Sequence, residues 1–312
     1  MVVLGMGRRR KRFNWALYEN LCRIEREEAF QLLRWAVYSL EAPWDCGWRG
    51  VGRKPYDARA LTVFTVWQEI EGKPERAYTA DLERDKERLH MLGLEHAPHR
   101  TALYRTRKRL SEEYMEKLNR RILERLKHAR KVGADATGMR MSKRDCAWSS
   151  ASLNGRREYT KLHGLFNLET GTVEAFKATG GTEHECKHLP DLLKRLDDME
   201  CFVADPGYLS RRNCMLVAEK GATPYIKPKK NSLMKAKGCW IWKSMVTLYR
   251  MHPRIFNHSY RLHQRIEAGL HSLKSIAGDL IRSKTIKTIK TEIWAKIICY
   301  NLIWTIRGSH KF

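Results

Sequence analysis

The sequence predicts an α/β protein in which a helical N-terminal region precedes a mixed β-sheet with helices on its faces. Up to about residue 128, apolar residues recur at helical spacing, whereas from about residue 130 short apolar runs alternate with turn residues. The later segments follow the order three strands, helix, strand, helix, strand. A hairpin of strands followed by alternating helices and strands specifies a mixed sheet.

The N-terminal region contains three segments with helical periodicity. The first covers residues 13–41 as one helix or two, the second starts after Asp57 and runs to about Glu71, and the third covers about 80–93. After a proline-containing turn, Thr101 is expected to cap a further, strongly basic helix. This unit has the size of a helix-turn-helix, although any helical hairpin with a cationic surface has the same pattern.

Short strand and helix segments follow. In order, we expect strands at 131–136, 162–168 and 172–178, a helix at 189–196, a strand at 200–204, a helix at 211–220 and a strand at 224–227. In the tail, isoleucines share one helical face, which predicts core packing with the lysines free to meet phosphate. We expect domains at 1–128, 129–282 and 283–312, with a basic, tryptophan-containing insertion at about 231–254.

The chain is strongly basic. Its 312 residues include 60 Lys and Arg against 35 Asp and Glu, a formal net charge of +25. This excess repels itself unless the protein works beside a polyanion, so nucleic acid is the expected partner. Eight cysteines without paired CxxC spacing argue against a disulfide framework and a zinc ribbon.

No apolar stretch approaches the roughly 20 residues of a membrane span, so no membrane association is expected. The basic run Arg8–Arg12 follows the short apolar N-terminal stretch, which is the reverse of the order in a secretory signal. We therefore expect a soluble, cytoplasmic and nucleoid-associated protein.

Two aspartates stand at the ends of predicted strands. Asp135 in Val-Gly-Ala-Asp-Ala-Thr-Gly and Asp205 in Val-Ala-Asp-Pro-Gly-Tyr each follow an apolar run and precede a glycine turn. Carboxylates that converge from separate strand ends are suitable ligands for hard divalent ions, which phosphodiester chemistry uses. An aspartate in such a place can also simply cap the turn.

A third block lies on a predicted helix over residues 259–274. At roughly 100° per residue, His263, Glu267 and Lys274 lie within a stripe about 40° wide, and Tyr260 lies close to it. This face is either a third catalytic block or an ordinary solvated face with an intrahelical ion pair.

Basic segments elsewhere supply candidate DNA contacts. The segment 227–250 interleaves cations with tryptophans, which suits either a distorted DNA backbone or an amphipathic segment whose tryptophans pack inward. The candidate contacts of the basic helix and of this segment are Arg105, Arg107, Lys108, Lys229 and Lys230.

Taken together, the three blocks resemble the DDE transposases of bacterial and archaeal insertion sequences, particularly the group numbered four and five. The resemblance covers roughly residues 50–305. Asp135 matches the first Asp of the family, and Asp205 in Ala-Asp-Pro-Gly-Tyr matches the second-Asp block. The last block follows the family's Tyr-x2-Arg-x3-Glu-x6-Lys signature, with His263 where the signature has Arg.

The resemblance implies an RNase H-like fold and a metal-dependent enzyme. Two Mg²⁺ or Mn²⁺ ions would be held by three catalytic carboxylates, Asp135, Asp205 and Glu267. Tyr260, His263 and Lys274 would contact DNA. The implied reaction is cleavage at the terminal inverted repeats followed by strand transfer into target DNA, carried out by a homodimer on the DNA.

Two alternatives remain open. One is a domesticated or inactive transposase that only binds DNA, and the histidine at position 263 favours it because arginine grips phosphate with a permanent charge. The other is an RNase H-like nuclease that cuts without joining.

Overall fold

The computed structural model describes residues 14–48, 50, 54–141 and 159–309, without the side chains of residues 17 and 18. The basic run Arg8–Arg12 and one of the eight cysteines, Cys146, therefore lie outside the described residues. The seven described cysteines are free thiols. In the described part of the chain, none of the helices combines the length and the apolar character needed to cross a membrane.

The N-terminal region is helical, as the sequence predicts. Its helices are Trp15–Tyr38 (α1), Ala58–Glu71 (α2), Glu75–Leu82 (α3), Lys86–Met91 (α4), Arg100–Arg109 (α5) and Glu112–Leu123 (α6). The expected start of α2 is confirmed, because the side chain of Asp57 accepts a hydrogen bond from the backbone N–H of Arg59.

Two local expectations in this region are wrong. The single helix expected at about 80–93 is instead the end of α3 and the whole of α4. Asp85 starts the new helix by accepting a hydrogen bond from the backbone N–H of Arg88. Thr101 does not cap α5, because its own backbone N–H donates to Nδ1 of His99, which is the capping residue.

The sheet is mixed, as predicted. Its five main strands are Lys131–Met141 (β1), Tyr159–Asn167 (β2), Val173–Gly180 (β3), Cys201–Ala204 (β4) and Thr223–Ile226 (β5). The spatial order is β3-β2-β1-β4-β5, with β1 antiparallel to β2 and parallel to β4, and β4 parallel to β5. This is the RNase H-like arrangement. A short strand that the sequence did not predict, Leu280–Ile281 (β6), pairs with the far end of β1.

Helices cover both faces of the sheet. They are Leu189–Leu193 (α7), Arg211–Glu219 (α8), Trp240–Met251 (α9), Pro253–Tyr260 (α10), His263–Ala277 (α11) and Ile286–Ser309 (α12). Successive strand residues point to opposite faces. In β4, Phe202 and Ala204 join the core formed with α7 to α10, whereas Val203 joins the core formed with α11, α12 and the N-terminal helices.

The tryptophans of the predicted insertion divide between the two expected environments. Trp242 of α9 is buried, and its indole N–H donates to the carbonyl of Leu233 at 3.0 Å. Trp240 is 70% exposed, with the ammonium of Lys243 4.9 Å from its ring centroid. One aromatic side chain therefore packs inward and the other faces solvent beside a cation.

Helix α12 passes through the core and packs against α1, α2, α5, α6 and α11. Its isoleucines are buried, as predicted, except Ile286 at its start, which is 40% exposed. The lysines are not all free to meet phosphate: Lys296 is buried with Nζ 3.1 Å from Oε2 of Glu69, and Lys290 pairs with Glu112 at 2.9 Å. The expectation that the lysines are free to meet phosphate is therefore wrong for Lys290 and Lys296.

The predicted domain boundaries at 1–128, 129–282 and 283–312 stay predictions.

Candidate metal centre

The two predicted aspartates start from neighbouring positions of parallel strands. Ala134 of β1 is paired with Ala204 of β4, so the next residues, Asp135 and Asp205, begin side by side. β1 continues beyond Asp135, whereas β4 stops and the chain turns at Pro206–Tyr208. Because the strands run in the same direction, both carboxylates are brought to the same place at the sheet.

Helix α11 adds a histidine to the two aspartates. A Cβ at position 133 would lie 2.3 Å from Cδ1 of Ile266, so Gly133 lets α11 pack closely on β1. His263 is the first residue of α11, and only 6% of its side chain is exposed. One potential ligand atom each from Asp135, Asp205 and His263 lie within 4.8 Å of one another. Among the described residues, no other group of three His, Cys, Asp or Glu side chains has this spacing.

Tyr260 joins the site from a different helix. The continuous helix expected over 259–274 is wrong, because the chain turns between the end of α10 at Tyr260 and the start of α11 at His263. The hydroxyl of Tyr260 nevertheless donates to Oδ1 of Asp205 at 3.1 Å. Its ring stacks on His263, with centroids 5.4 Å apart and planes 9° apart. The turn therefore keeps both side chains at the carboxylates.

Glu267, the predicted third carboxylate, lies one helical turn beyond His263. Its side chain is 65% exposed, and its Oε1 is 3.6 Å from Nδ1 of His263. It is not a member of the close group formed by Asp135, Asp205 and His263. The negative charge of Glu267 nevertheless acts on the site. The pKa of Tyr260 is raised mainly by burial, and the charges of both aspartates and of Glu267 also raise it.

The electrostatic environment of Asp135 disfavours a bare carboxylate. The pKa of Asp135 is raised to about 6, mainly by burial and then by the negative charges of Asp205 and Glu185. A hydrogen bond of 2.7 Å from the backbone N–H of Ala136 and the proximity of His263 act in the opposite direction. At pH 7 the group is still mainly ionised, in a place where water solvates it poorly. A cation bound between the carboxylates would offset this cost.

The residues at the site fit a divalent cation. Two buried polar atoms, the hydroxyl of Tyr208 and Nε2 of His263, have no hydrogen-bond partner. Burial raises the pKa of Tyr208, and nearby carboxylates including Asp135 and Asp205 add to the effect. Carboxylate oxygens are the ligands that hard divalent ions prefer, and the excess of negative charge is what a cation would neutralise.

Comparison with protein families identifies the chain. The model of the transposase DDE domain matches residues 127–302, more than half of the chain. The chain belongs to the DDE transposase family. The matched range contains the whole close group of ligands and Glu267, and the resemblance seen in the sequence is confirmed there. Comparisons with curated proteins and with solved structures give no match.

The DNA contacts predicted on α5 of this transposase have different environments. Arg105 and Lys108 are exposed. Arg107 is buried, with one guanidinium nitrogen 2.8 Å from Glu69 and the other 3.3 Å from Glu292. Because α5 packs on α2, α3 and α12, one side of this basic helix must face the protein. The prediction that Arg107 contacts DNA is therefore wrong.

The remaining predicted contacts lie after β5 and on α11. Lys229 and Lys230 are exposed in the segment after β5, and Lys274 is half-buried near the end of α11. Their role in DNA binding stays a prediction.

Sequence analysis missed a fourth carboxylate near the transposase site. Glu185 lies 2.8 Å from Nζ of Lys161. It also packs against Gly207, where a Cβ would lie 2.0 Å from Oε2 of Glu185. The glycine two residues after Asp205 was a signal that another group approaches this turn. Nothing in the spacing indicated that this group is Glu185 rather than Glu183.

Proposed function

We propose that this chain is an active transposase that cuts DNA at the ends of an insertion sequence and joins the freed ends to target DNA. The observation that carries the proposal is the adjacency of Asp135 and Asp205 at neighbouring parallel strands in a chain of the DDE family. Members of a strand-transfer family need carboxylates at one point, and this chain has them there.

The proposed catalytic carboxylates are Asp135, Asp205 and Glu267, which would hold two Mg²⁺ or Mn²⁺ ions. Bound ions would activate the attacking oxygen and stabilise the leaving oxygen. The hydroxyl of Tyr260 orients the carboxylate of Asp205 through its hydrogen bond. The exposed Glu267 is free to turn towards an incoming ion or substrate, and Lys274 would neutralise a phosphate from the same helix.

The reaction would proceed in two displacements at phosphorus. A water oxygen first attacks the phosphodiester at the element's end, and the 3′-oxygen leaves and takes up a proton. The resulting 3′-hydroxyl then attacks a phosphodiester of the target, loses its proton, and displaces a second 3′-oxygen, which takes up a proton. Each step makes one phosphorus–oxygen bond and breaks another, so positioning and charge neutralisation carry the catalysis.

The net charge of +25 supports binding of the terminal inverted repeats and of target DNA. We propose that exposed cations on two parts of the surface contact their phosphates: Arg105, Lys108, Lys229 and Lys230. We further propose that the transposase acts as a homodimer on DNA, because the two ends of an element are processed together.

Labelled DNA ends incubated with the protein and Mg²⁺ or Mn²⁺ test the proposal. Asp205→Asn should abolish cutting and leave DNA binding intact, because it removes a metal ligand and no DNA-facing cation. Asp197→Asn is the matched control, since it makes the same exchange at an exposed position outside the ligand group.

The products separate the alternatives. Joined DNA supports a transposase, and cut but unjoined DNA supports a nuclease. Retention without cutting supports an inactive, DNA-binding transposase, the alternative that His263 favours. If Asp205→Asn weakened DNA binding as much as cutting, the metal role of Asp205 would be contradicted.

A further inference from the structure

His263 has a buried ring nitrogen without a hydrogen-bond partner. Nε2 is unpartnered although it lies 3.2 Å from Oδ1 of Asp205. The approach is not a hydrogen bond, because the oxygen lies off the direction in which the ring nitrogen would donate. A buried polar atom in this state requires an explanation, and an ion between the two residues is one.

The imidazole ring is held in place by its neighbours. Tyr260 stacks on its face, and Phe256 stacks in turn on Tyr260 with centroids 5.6 Å and planes 23° apart. At the other edge of the ring, Nδ1 lies 3.6 Å from Oε1 of Glu267. We assign the ring hydrogen to Nδ1, facing this carboxylate, which leaves the lone pair of Nε2 on the side of the aspartates. Metal-bound histidines usually have this arrangement.

We propose that Nε2 of His263 is a direct ligand of the divalent ion held by Asp135 and Asp205. The inference rests on the proposed metal site and adds a nitrogen to its oxygen ligands. Ligand atoms about 2.1 Å from one ion lie roughly 3 to 4 Å apart, and the three atoms concerned lie within 4.8 Å of one another. Small side-chain movements therefore bring all three to one ion.

A nitrogen ligand changes which ion the site prefers. Mg²⁺ is bound mainly by oxygen and keeps part of its water shell, whereas imidazole suits the first-row transition ions. The arginine of the family signature has no lone pair to offer and would repel a cation. A position at which arginine would bind phosphate therefore becomes, with histidine, a position that binds the metal ion. We expect the site to prefer Mn²⁺ to Mg²⁺.

Pulsed electron paramagnetic resonance of Mn²⁺ bound to the full chain tests this ligand without any activity measurement. A coordinated nitrogen gives a hyperfine coupling that oxygen ligands do not give. We expect the coupling in the wild type and its loss in His263→Gln. His271→Gln should keep it, because this control removes an exposed histidine from the same helix. Asp205→Asn should weaken Mn²⁺ binding, which assigns the signal to this site.

Competition with Mg²⁺ supplies a second measurement. His263→Gln should lower the Mg²⁺ concentration that displaces Mn²⁺ by about 10-fold or more, since even supporting residues of metal sites have effects of this size. His271→Gln should leave it unchanged, and an unchanged value in His263→Gln would contradict the proposed preference.

The two proposals can fail separately. A wild-type Mn²⁺ signal that depends on Asp205 but lacks nitrogen coupling overturns the ligand role of His263 and leaves the proposed metal site intact. Mn²⁺ binding that is unaffected by Asp205→Asn overturns both. Because the wild-type spectrum alone decides whether nitrogen is bound, a His263→Gln protein that did not fold would not remove the test.

Discussion

Replacing Asp135 by Asn should stabilise the metal-free protein near neutral pH, although it removes a proposed metal ligand. The pKa of this carboxyl is raised to about 6, first by burial and then by the charges of Asp205 and Glu185. A raised pKa in the folded state means that folding favours the protonated form. The stability associated with that form is complete below about pH 4 and is lost as the pH rises through about 6.

The magnitude follows from the shift. The pKa of Asp135 rises from the ordinary value of 3.8 to about 6, which is roughly two pKa units. Without any screening by solvent, this difference corresponds to about 3 kcal/mol of stability. Asp135 is not fully buried, so solvent screening reduces this to about 1 to 2 kcal/mol. An asparagine cannot ionise, and its side-chain oxygen can still accept the hydrogen bond from Ala136. For a chain of this length, the gain corresponds to a rise in Tm of about 2 to 3 °C.

Thermal unfolding followed by circular dichroism, with EDTA or with Mn²⁺, measures the effect. Asp135→Asn should melt above the wild type at pH 7.5 in EDTA, and the difference should shrink to about a third of its size at pH 4.5. With Mn²⁺ at about 100 times its Kd, the wild type should gain about 2.7 kcal/mol from linkage and the variant should not. The reasoning is refuted if the variant is destabilised equally at both pH values, or if Mn²⁺ stabilises both proteins alike.

Asp279→Asn is the control of opposite sign. A hydrogen bond from Arg140, 2.7 Å from the carboxylate, holds the pKa of Asp279 below its usual range. Its ionised form is therefore favoured by folding, so this variant should not gain stability at pH 7.5. A gain of the same size as in Asp135→Asn would show that loss of a negative charge anywhere stabilises this chain.

The remaining predictions concern the two arginines of α5 and the packing of α11 on β1. Arg107→Ala should lower the free energy of unfolding by about 3 to 5 kcal/mol in urea titrations, because it removes the buried cation that pairs with Glu292 and one of the buried cations that pair with Glu69. Arg105→Ala should leave stability within about 0.5 kcal/mol but lower the salt dependence of DNA binding by about 0.9 log unit per log unit of salt; equal stability losses in the two variants would contradict the assigned environments. Gly133→Ala should cost about 1 to 3 kcal/mol and weaken Mn²⁺ binding, because the added methyl group meets Ile266 and displaces α11. The double variant Gly133→Ala/Ile266→Val removes the clashing Cδ1 and should restore part of the stability and part of the Mn²⁺ binding. If the double variant were as unstable and bound Mn²⁺ as weakly as Gly133→Ala, this clash would not be the cause.

The sequence singled out the strand-end aspartates because each has a recognisable local setting, and the three blocks together favoured a catalytic role over turn capping. Asp135 and Asp205 each follow an apolar run and precede a turn, and the order of strands around them makes their strands parallel neighbours. The alternation of apolar residues and the turn residues within about ten positions of each aspartate predict the strand and its end. The mixed sheet was predicted for the same reason.

The environment of Arg107 could not be predicted in this way. Its neighbours in the sequence are cations, so the segment has the composition of a DNA-binding surface. The charge is instead satisfied by Glu69, which lies 38 positions away in the chain, and by Glu292 at the far end of it. Only the packing of α2, α5 and α12 brings these groups together, and no local pattern records that packing.

The relation between His263 and Glu267 depends on how α11 is rotated against the sheet. Helical spacing places both residues on one face whatever the rotation, so the sequence could not decide which of them is closer to the aspartates. The contact between Ile266 and Gly133 sets the rotation. It buries the first residue of the helix against Asp205 and leaves Glu267, one turn further along, 65% exposed. With α11 packed on Gly133 through Ile266, the close group of ligands contains the histidine and not the glutamate.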